Sequence, residues 1–495
     1  MRTLPSITSR ILSSIITVIV WCIAPSADAK VTLPSVISDN MVLQRNSDVN
    51  LWGNATPGKK VTVVPSWNGK KYSTMADNEG KWKLKIATTD AGGPYTIKIS
   101  DGEQVRLDNI LLGEVWICGG QSNMEMQVHG FMHQPVKGSV DAILDATNHP
   151  GMRFFTVGRA SLDTPADDCS GEWLLSTPEA VANFSAAAYF FGHLLNTVLG
   201  VPVGLVTTNW GGSPVETWMA EEIFETVEGI DKDFCRRNNY ENSAVGRLFN
   251  GMVNPITSYT AKGFIWYQGE SNNRRHDDYV KLLKAMITDW RRRWDNPSMP
   301  FYMVQIAPYR YTGYDNFELP LLIEAQYKVA QEMENVGIAA TTDLGNPVGI
   351  HPARKKEVGE RLAFLALRND YGVEGIPLPA PTYKSMRIAG NKVKLEFNNL
   401  DWQKDWWAGN NFHSYQDDRY IRPQGFEVAG EDRVFHKAEG KFGHGENYIE
   451  VYSDSVPNPV AVRYCFHNYV PEANVMTCLG QPLVPFRTDR WDVEY

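Results

Sequence analysis

Three short segments set the groups needed for acyl transfer beside glycines. Cys118-Gly119-Gly120-Gln121-Ser122-Asn123-Met124 places a serine in a glycine-containing turn at the end of an apolar run. Glycines there let a substrate approach the backbone closely and leave the hydroxyl exposed. A serine after glycine is also ordinary turn chemistry, so the segment needs company. Asn209-Trp210-Gly211-Gly212-Ser213-Pro214 is a second glycine turn, and Trp266-Tyr267-Gln268-Gly269-Glu270-Ser271-Asn272 adds a side-chain amide at Gln268. A tetrahedral oxyanion needs two or three preorganised donors. The N–H of Ser122, a glycine N–H at Gly211 or Gly212 and the Gln268 amide make such a set. Ile350-His351-Pro352 adds an imidazole, a group able to take the serine proton near neutral pH and return it to a leaving alcohol. Glu216 and Glu270 allow a competing reading as the paired carboxylates of a glycosidase. Such an enzyme has no use for the serine, histidine and amide.

These residues share a position in the pattern of elements: each follows a predicted strand. A buried-type strand runs from Glu114 to Cys118, and others are read at Arg153 to Val157, Val203 to Thr208, Gly263 to Tyr267, Tyr302 to Ile306 and Gly337 to Thr342. Amphipathic helical periods at Phe184 to Leu199, Asp277 to Trp294, Leu319 to Met333 and Ala353 to Arg368 alternate with them. Alternation on this scale predicts a parallel sheet flanked by helices, with the active site beyond the carboxyl ends of the strands. Short apolar runs punctuated by Gly, Pro, Asn and Asp precede this region, including Val49 to Gly53 and Lys60 to Val64. After Tyr371 the helical period is lost and strands such as Val393 to Phe397, Asn447 to Tyr452 and Ala461 to Cys465 follow. The expected organisation is an export signal over 1–29, a β-sandwich-like module over 30–112, a catalytic α/β domain over 113–371 and a β-rich module over 372–495.

The signal is read from Arg2 and Arg10, the apolar stretch Ile11 to Ala24 and the small-x-small site Ala27-Asp28-Ala29. It implies a secreted or periplasmic protein. No later segment has the roughly 20 uninterrupted apolar residues that a membrane span requires. With a net charge of −9 and scattered basic residues, the chain lacks the electrostatic footprint of a nucleic-acid partner. Cys118, Cys169, Cys235, Cys465 and Cys478 follow the signal, an odd number with no CxxC spacing and no histidine cluster nearby in sequence. A structural zinc site is therefore not expected, and at least one thiol is left over. No pattern sets an oligomeric state.

Four motifs in order, Gly120-Gln121-Ser122-Asn123-Met124, Trp210-Gly211-Gly212-Ser213-Pro214-Val215-Glu216-Thr217-Trp218, Trp266 to Asn272, and His351-Pro352 with Lys355 and Lys356, resemble the sialate O-acetylesterase-like branch of the SGNH hydrolases. Asp39 to Gln44 and Pro485 to Asp489 extend the likeness to both flanks. The resemblance implies a flavodoxin-like parallel sheet, Ser122 as nucleophile, His351 as general base, and an oxyanion hole from Ser122, Gly211 or Gly212, and Gln268. It makes Gln121, Asn123, Trp210, Glu216, Glu270 and Asn272 the expected substrate contacts. It also implies an O-acetylated carbohydrate substrate, a sialic acid first and an acetylated plant polysaccharide such as xylan or xyloglucan second, with no metal or cofactor. A third reading, from another class, is a carbohydrate-binding protein without catalysis. One departure stands out: the acid of such enzymes usually lies three residues before the histidine, where this chain has Val348. Asp343 is the first candidate to orient His351 instead, followed by Glu270 or a backbone carbonyl.

Overall fold

The computed structural model describes residues 31–493 except 238, 401–411, 414, 417–418, 421 and 444–447. The expected export signal lies outside the described residues. At the centre are six parallel strands: β1 (Gln104–Gly120), β2 (Met152–Thr156), β3 (Val203–Asn209), β4 (Gly263–Tyr267), β5 (Phe301–Val304) and β6 (Val336–Ala339). The bounds of β2 to β6 lie within a few residues of their sequence expectations. β1 differs most, because it begins ten residues earlier than the apolar run. Its first half pairs with the strands Val42–Gln44 and Gly92–Ser100, and its second half with β3 and β4. One continuous strand thus joins the N-terminal strands to the central sheet across position 112.

Across the sheet the parallel strands run in the order β6-β5-β4-β1-β3-β2. This differs from the flavodoxin-like order, in which the second strand lies beside the first. Burial gives the reason. All seven residues of β3 are buried, so it needs partners on both edges, and it pairs with β1 from Val203↔Glu114 to Asn209↔Gly120. The shorter β2 is displaced outward, where the antiparallel strand Trp173–Leu175 covers its free edge.

Alternation within the strands builds a core on each face. Val115, Ile117, Phe264, Trp266, Phe301 and Met303 point into one layer with helices α2 (His276–Arg293) and α3 (Glu318–Glu332). Trp116, Cys118, Ile265, Tyr267, Tyr302 and Val304 point into the other, with α1 (Ala186–Leu199) and α4 (Lys355–Asn369). Burial on both faces is why these strands read as continuous apolar runs. The Ser185 side chain caps α1 by accepting from the Ala188 N–H, and its hydroxyl donates to the Met124 carbonyl at 2.5 Å, fixing α1 against the serine turn.

A seven-stranded antiparallel sheet closes the chain, in the spatial order Thr382–Ala389, Lys392–Asn398, Tyr448–Tyr452, Phe435–Phe442, Phe426–Ala429, Ala461–Tyr464, Phe486–Arg487. Arg487 pairs with Glu324 of α3 through two contacts of 3.0 Å, and Asn468 accepts from the Leu319 N–H, so this sheet is pinned to α3. All five cysteines among the described residues are free thiols.

Candidate active site

β1 ends at Gly120, with φ +149°, where an added Cβ would lie 2.2 Å from the Tyr267 carbonyl oxygen. Only glycine lets β1 and β4 stay paired to their tips, and the next residues then turn sharply. Gln121 donates its N–H to Tyr267 O, and its side-chain carbonyl accepts from Gly269 and Ser271 N–H at 3.3 Å each. Ser122 thereby becomes the first residue of a short helix, Ser122–Glu125, above the sheet. From the other side His351, between β6 and α4, brings Nε2 to 2.8 Å from Ser122 Oγ. Residues 229 apart in the chain meet as nucleophile and base require.

The orienting partner of His351 is not among those expected. Nδ1 lies 2.7 Å from the Gln134 side-chain oxygen. This hydrogen-bond arrangement assigns the proton to Nδ1 and leaves the Nε2 lone pair facing the serine hydroxyl. Gln134 is carried by the loop after the serine helix, whose Phe131 and Gln134 backbones bond to each other, and the Phe131 ring meets the imidazole edge-on at 5.3 Å. Asp343 faces elsewhere: its carboxylate forms a two-pronged pair with Arg361 of α4 at 2.7 and 2.8 Å. The guanidinium outcompetes a neutral imidazole for that carboxylate. Val348, at the usual acid position, is 72% exposed. Burial and the nearby Lys355 charge lower the His351 pKa to about 4, so the imidazole is neutral and able to accept a proton at neutral pH.

Behind the serine lies a buried polar network. Asn123, fully buried, donates to Glu270 Oε1 at 2.5 Å and to the Ile350 carbonyl at 3.1 Å, and accepts from Lys355 Nζ. It therefore ties the β4 tip to the segment carrying His351. Burial pushes the Lys355 pKa down to about 7 and raises that of Glu270. Lys355 was only a motif residue in the sequence. Its spacing with Val358 and Leu362 puts it on the buried face of α4, the signal that finds it.

The expected oxyanion donors are arranged differently from the sequence reading. Gly211 approaches Ser122 so closely that a Cβ would stand 3.2 Å from the serine Cβ, but its N–H donates to Glu125 Oε2 at 2.8 Å. Gln268 directs its amide nitrogen to Ser213 O (3.2 Å) and Asn272 Oδ1 (2.7 Å), and its buried carbonyl oxygen has no partner. With both hydrogens turned to internal acceptors, Gln268 braces the Gly211-Gly212 turn against the β4 tip. Ser122 and Gly212 keep N–H groups without an acceptor among the described residues.

Of the expected substrate contacts, Gln121, Asn123, Glu270 and Asn272 are buried and committed to one another or to backbone. Glu216, 1% exposed, is held by Arg275 at 2.6 Å and Asn272 at 3.0 Å. Both carboxylates are buried, Glu216 held by Arg275 and Asn272 and Glu270 by Asn123, so they do not face the open gap a glycosidase pair needs for its sugar. Trp210 alone of the set is half-buried, with the Arg159 guanidinium 5.2 Å above its ring; Arg159 also binds Glu125.

Residues 112–368, just over half of the chain, match the family profile described as carbohydrate esterase, sialic acid-specific acetylesterase. The chain belongs to this family. Sialate O-acetylesterases of Homo sapiens and Mus musculus are each 26% identical to it, over 425 and 444 residues, covering 78% and 77% of this chain and 79% and 81% of theirs. Among solved structures, a carbohydrate acetylesterase from Xanthomonas citri superposes with a TM-score of 0.82 at 33% identity, covering 93% of this chain and 100% of that one. The protein is a carboxylic ester hydrolase of the carbohydrate O-acetylesterase class.

Proposed function

We propose that the protein is an exported SGNH-type hydrolase that removes O-acetyl groups from sugars through an acetyl-Ser122 intermediate. The observation that carries this reading is the Ser122–His351–Gln134 relay. His351 Nε2 takes the serine proton as Oγ adds to the acetyl carbonyl, and the oxyanion is held by the Ser122 and Gly212 N–H groups. Collapse expels the sugar alkoxide with the proton from His351, leaving an ester on Oγ. Water, deprotonated by the same imidazole, then adds to that ester and releases acetate and free serine. Gln134 supplies the geometric half of what a triad carboxylate does: it fixes the tautomer and ring plane. It supplies none of the charge that stabilises imidazolium.

The first substrate of this reading is an O-acetylated sialic acid. A sialate carboxylate calls for a cationic partner; of the arginines near the strand ends, Arg275 is spent on Glu216, while Arg274 and Arg310 are exposed. Arg159, beside Trp210 at the glycine turn, is the additional candidate. Its pairing with Glu125 neutralises it, which favours a second substrate, the acetyl ester of an uncharged plant polysaccharide such as xylan or xyloglucan. Acetate release from O-acetylated sialic acids and from acetylated xylan and xyloglucan tests both. Release from a sialate that weakens selectively in KM on Arg159→Ala supports the first, and release from the neutral glycans alone replaces it with the second. Absence of Ser122-dependent release from all of them rules out both substrates.

A further inference from the structure

Asp145, His149 and His193 gather on the α1 side of the sheet, away from the residues of the serine relay. His193 is eight residues along α1 from Ser185, roughly 12 Å at the helical rise. The Nε2 atoms of His149 and His193 lie 3.0 and 3.1 Å from the same atom, Asp145 Oδ2, and the rings are 4.2 Å apart between centroids. Three ligand atoms of this kind, all within 4.8 Å of one another, form an open cluster. Its side chains are 39% (Asp145), 15% (His149) and 29% (His193) exposed.

Neighbouring amides decide how the cluster is wired. Asn196 Nδ2 donates to the Val201 carbonyl at 2.8 Å, so its Oδ1 faces His149 Nδ1 at 2.7 Å as an acceptor. His149 must therefore carry a proton on Nδ1, and a neutral ring then turns a bare Nε2 lone pair toward a carboxylate oxygen. Asn148 donates to the other Asp145 oxygen at 2.8 Å, which keeps Oδ2 aimed between the two imidazoles. Two acceptors in contact need a positive centre between them. A proton on His149 supplies one; a metal ion supplies a stronger one and also engages His193. Ligands bound tetrahedrally to Zn2+ at about 2.0–2.1 Å are roughly 3.3–3.4 Å apart, close to the two spacings of 3.0 and 3.1 Å to Asp145 Oδ2. Outer amides that fix the tautomer and the carboxylate are the usual support of a metal-binding histidine and aspartate.

We propose that Asp145 Oδ2, His149 Nε2 and His193 Nε2 bind one divalent ion of the Zn2+ type, with solvent completing the coordination. The ion clasps the Ser139–Asp145 helix and the turn after it to α1. Its role is structural, since none of its ligands belongs to the Ser122 relay.

The test is equilibrium dialysis of the chelator-treated full chain against Zn2+, with metal counted by mass spectrometry, thermal unfolding with and without Zn2+, and Co2+ absorption. One equivalent bound, a raised unfolding temperature and a Co2+ spectrum free of thiolate charge transfer are expected. His149→Gln and His193→Gln should lose that equivalent and the thermal shift while hydrolysing p-nitrophenyl acetate in metal-free buffer, which shows that they fold. Asn196→Ala should weaken binding by roughly 10–100-fold through loss of the tautomer lock. No stoichiometric binding by the wild type overturns the proposal, as does undiminished binding in both glutamine variants. If either variant fails to fold, the wild-type Co2+ spectrum decides: nitrogen and oxygen ligands support the site, and a thiolate band assigns the ion to cysteine and overturns it.

Discussion

Replacing Gln134 by glutamate puts a negative charge where the structure has a neutral amide oxygen, 2.7 Å from His351 Nδ1. The wild-type imidazole has a pKa of about 4, held down first by burial and then by Lys355, so kcat/KM should be flat through neutral pH and fall only below about pH 4. An opposite charge in direct contact raises an imidazole pKa by about 1–3 pH units, and the half-buried loop position favours the lower part of that range. The acid limb of Gln134→Glu should therefore appear near pH 5–6, about 1–2 units up. The same contact stabilises imidazolium by about 1.4–2.7 kcal/mol. Proton transfer is partial in the transition state, so only a fraction of this reaches the barrier, giving a neutral-pH kcat up to about tenfold above wild type. Initial rates of p-nitrophenyl acetate hydrolysis across the acid range read both quantities. An acid limb that stays near pH 4 in Gln134→Glu would refute the assignment of Gln134 as the partner of His351.

Two other substitutions separate local roles. Asp343→Asn removes one member of the Arg361 pair, whose side chains are only 12% and 6% exposed, and leaves the guanidinium without its counter-charge. Stability to urea should fall by up to about 3–5 kcal/mol, with kcat per folded molecule and the acid limb unchanged. A limb that moves with Asp343 instead of Gln134 would restore the aspartate as orienting acid. Lys355→Met removes the buried cation, leaving Asn123 Oδ1 without its donor and Glu270 without a nearby positive charge, so unfolding free energy should drop by about 1–3 kcal/mol. Because Lys355 is the lesser cause of the low His351 pKa, the acid limb should rise by less than about 1 pH unit, and a larger rise would mean that burial had been overrated.

What could be read from the chain followed the strength of its periodicity. β4, buried on both faces, is apolar throughout, and its bounds Gly263–Tyr267 agree with the expectation. The Ser122 and His351 turns were legible because each interrupts such a pattern with glycine or proline at a strand end. Strand order was not, since periodicity says nothing of which edges meet; the total burial of β3 becomes visible only once neighbours cover it. Gln134 left no signal because it sits on an irregular loop that reaches His351 across 217 residues. Asp343 misled for the opposite reason: it follows the right strand, but the partner that claims it, Arg361, lies on the next helix, 18 residues on. Gln268 and Glu216 belong to the motifs as expected, yet hold the turns together through Asn272 and Arg275.

The central claim is that the acetyl group passes through Ser122 Oγ. Rapid acid quenching of the enzyme during turnover of an activated acetyl ester, followed by peptide mass analysis, tests it most directly. The account predicts one added acetyl group on the peptide containing Ser122, absent in Ser122→Ala, which should also lose hydrolysis. Steady hydrolysis by Ser122→Ala, or an acetyl group found only on another residue of the wild type, would contradict it.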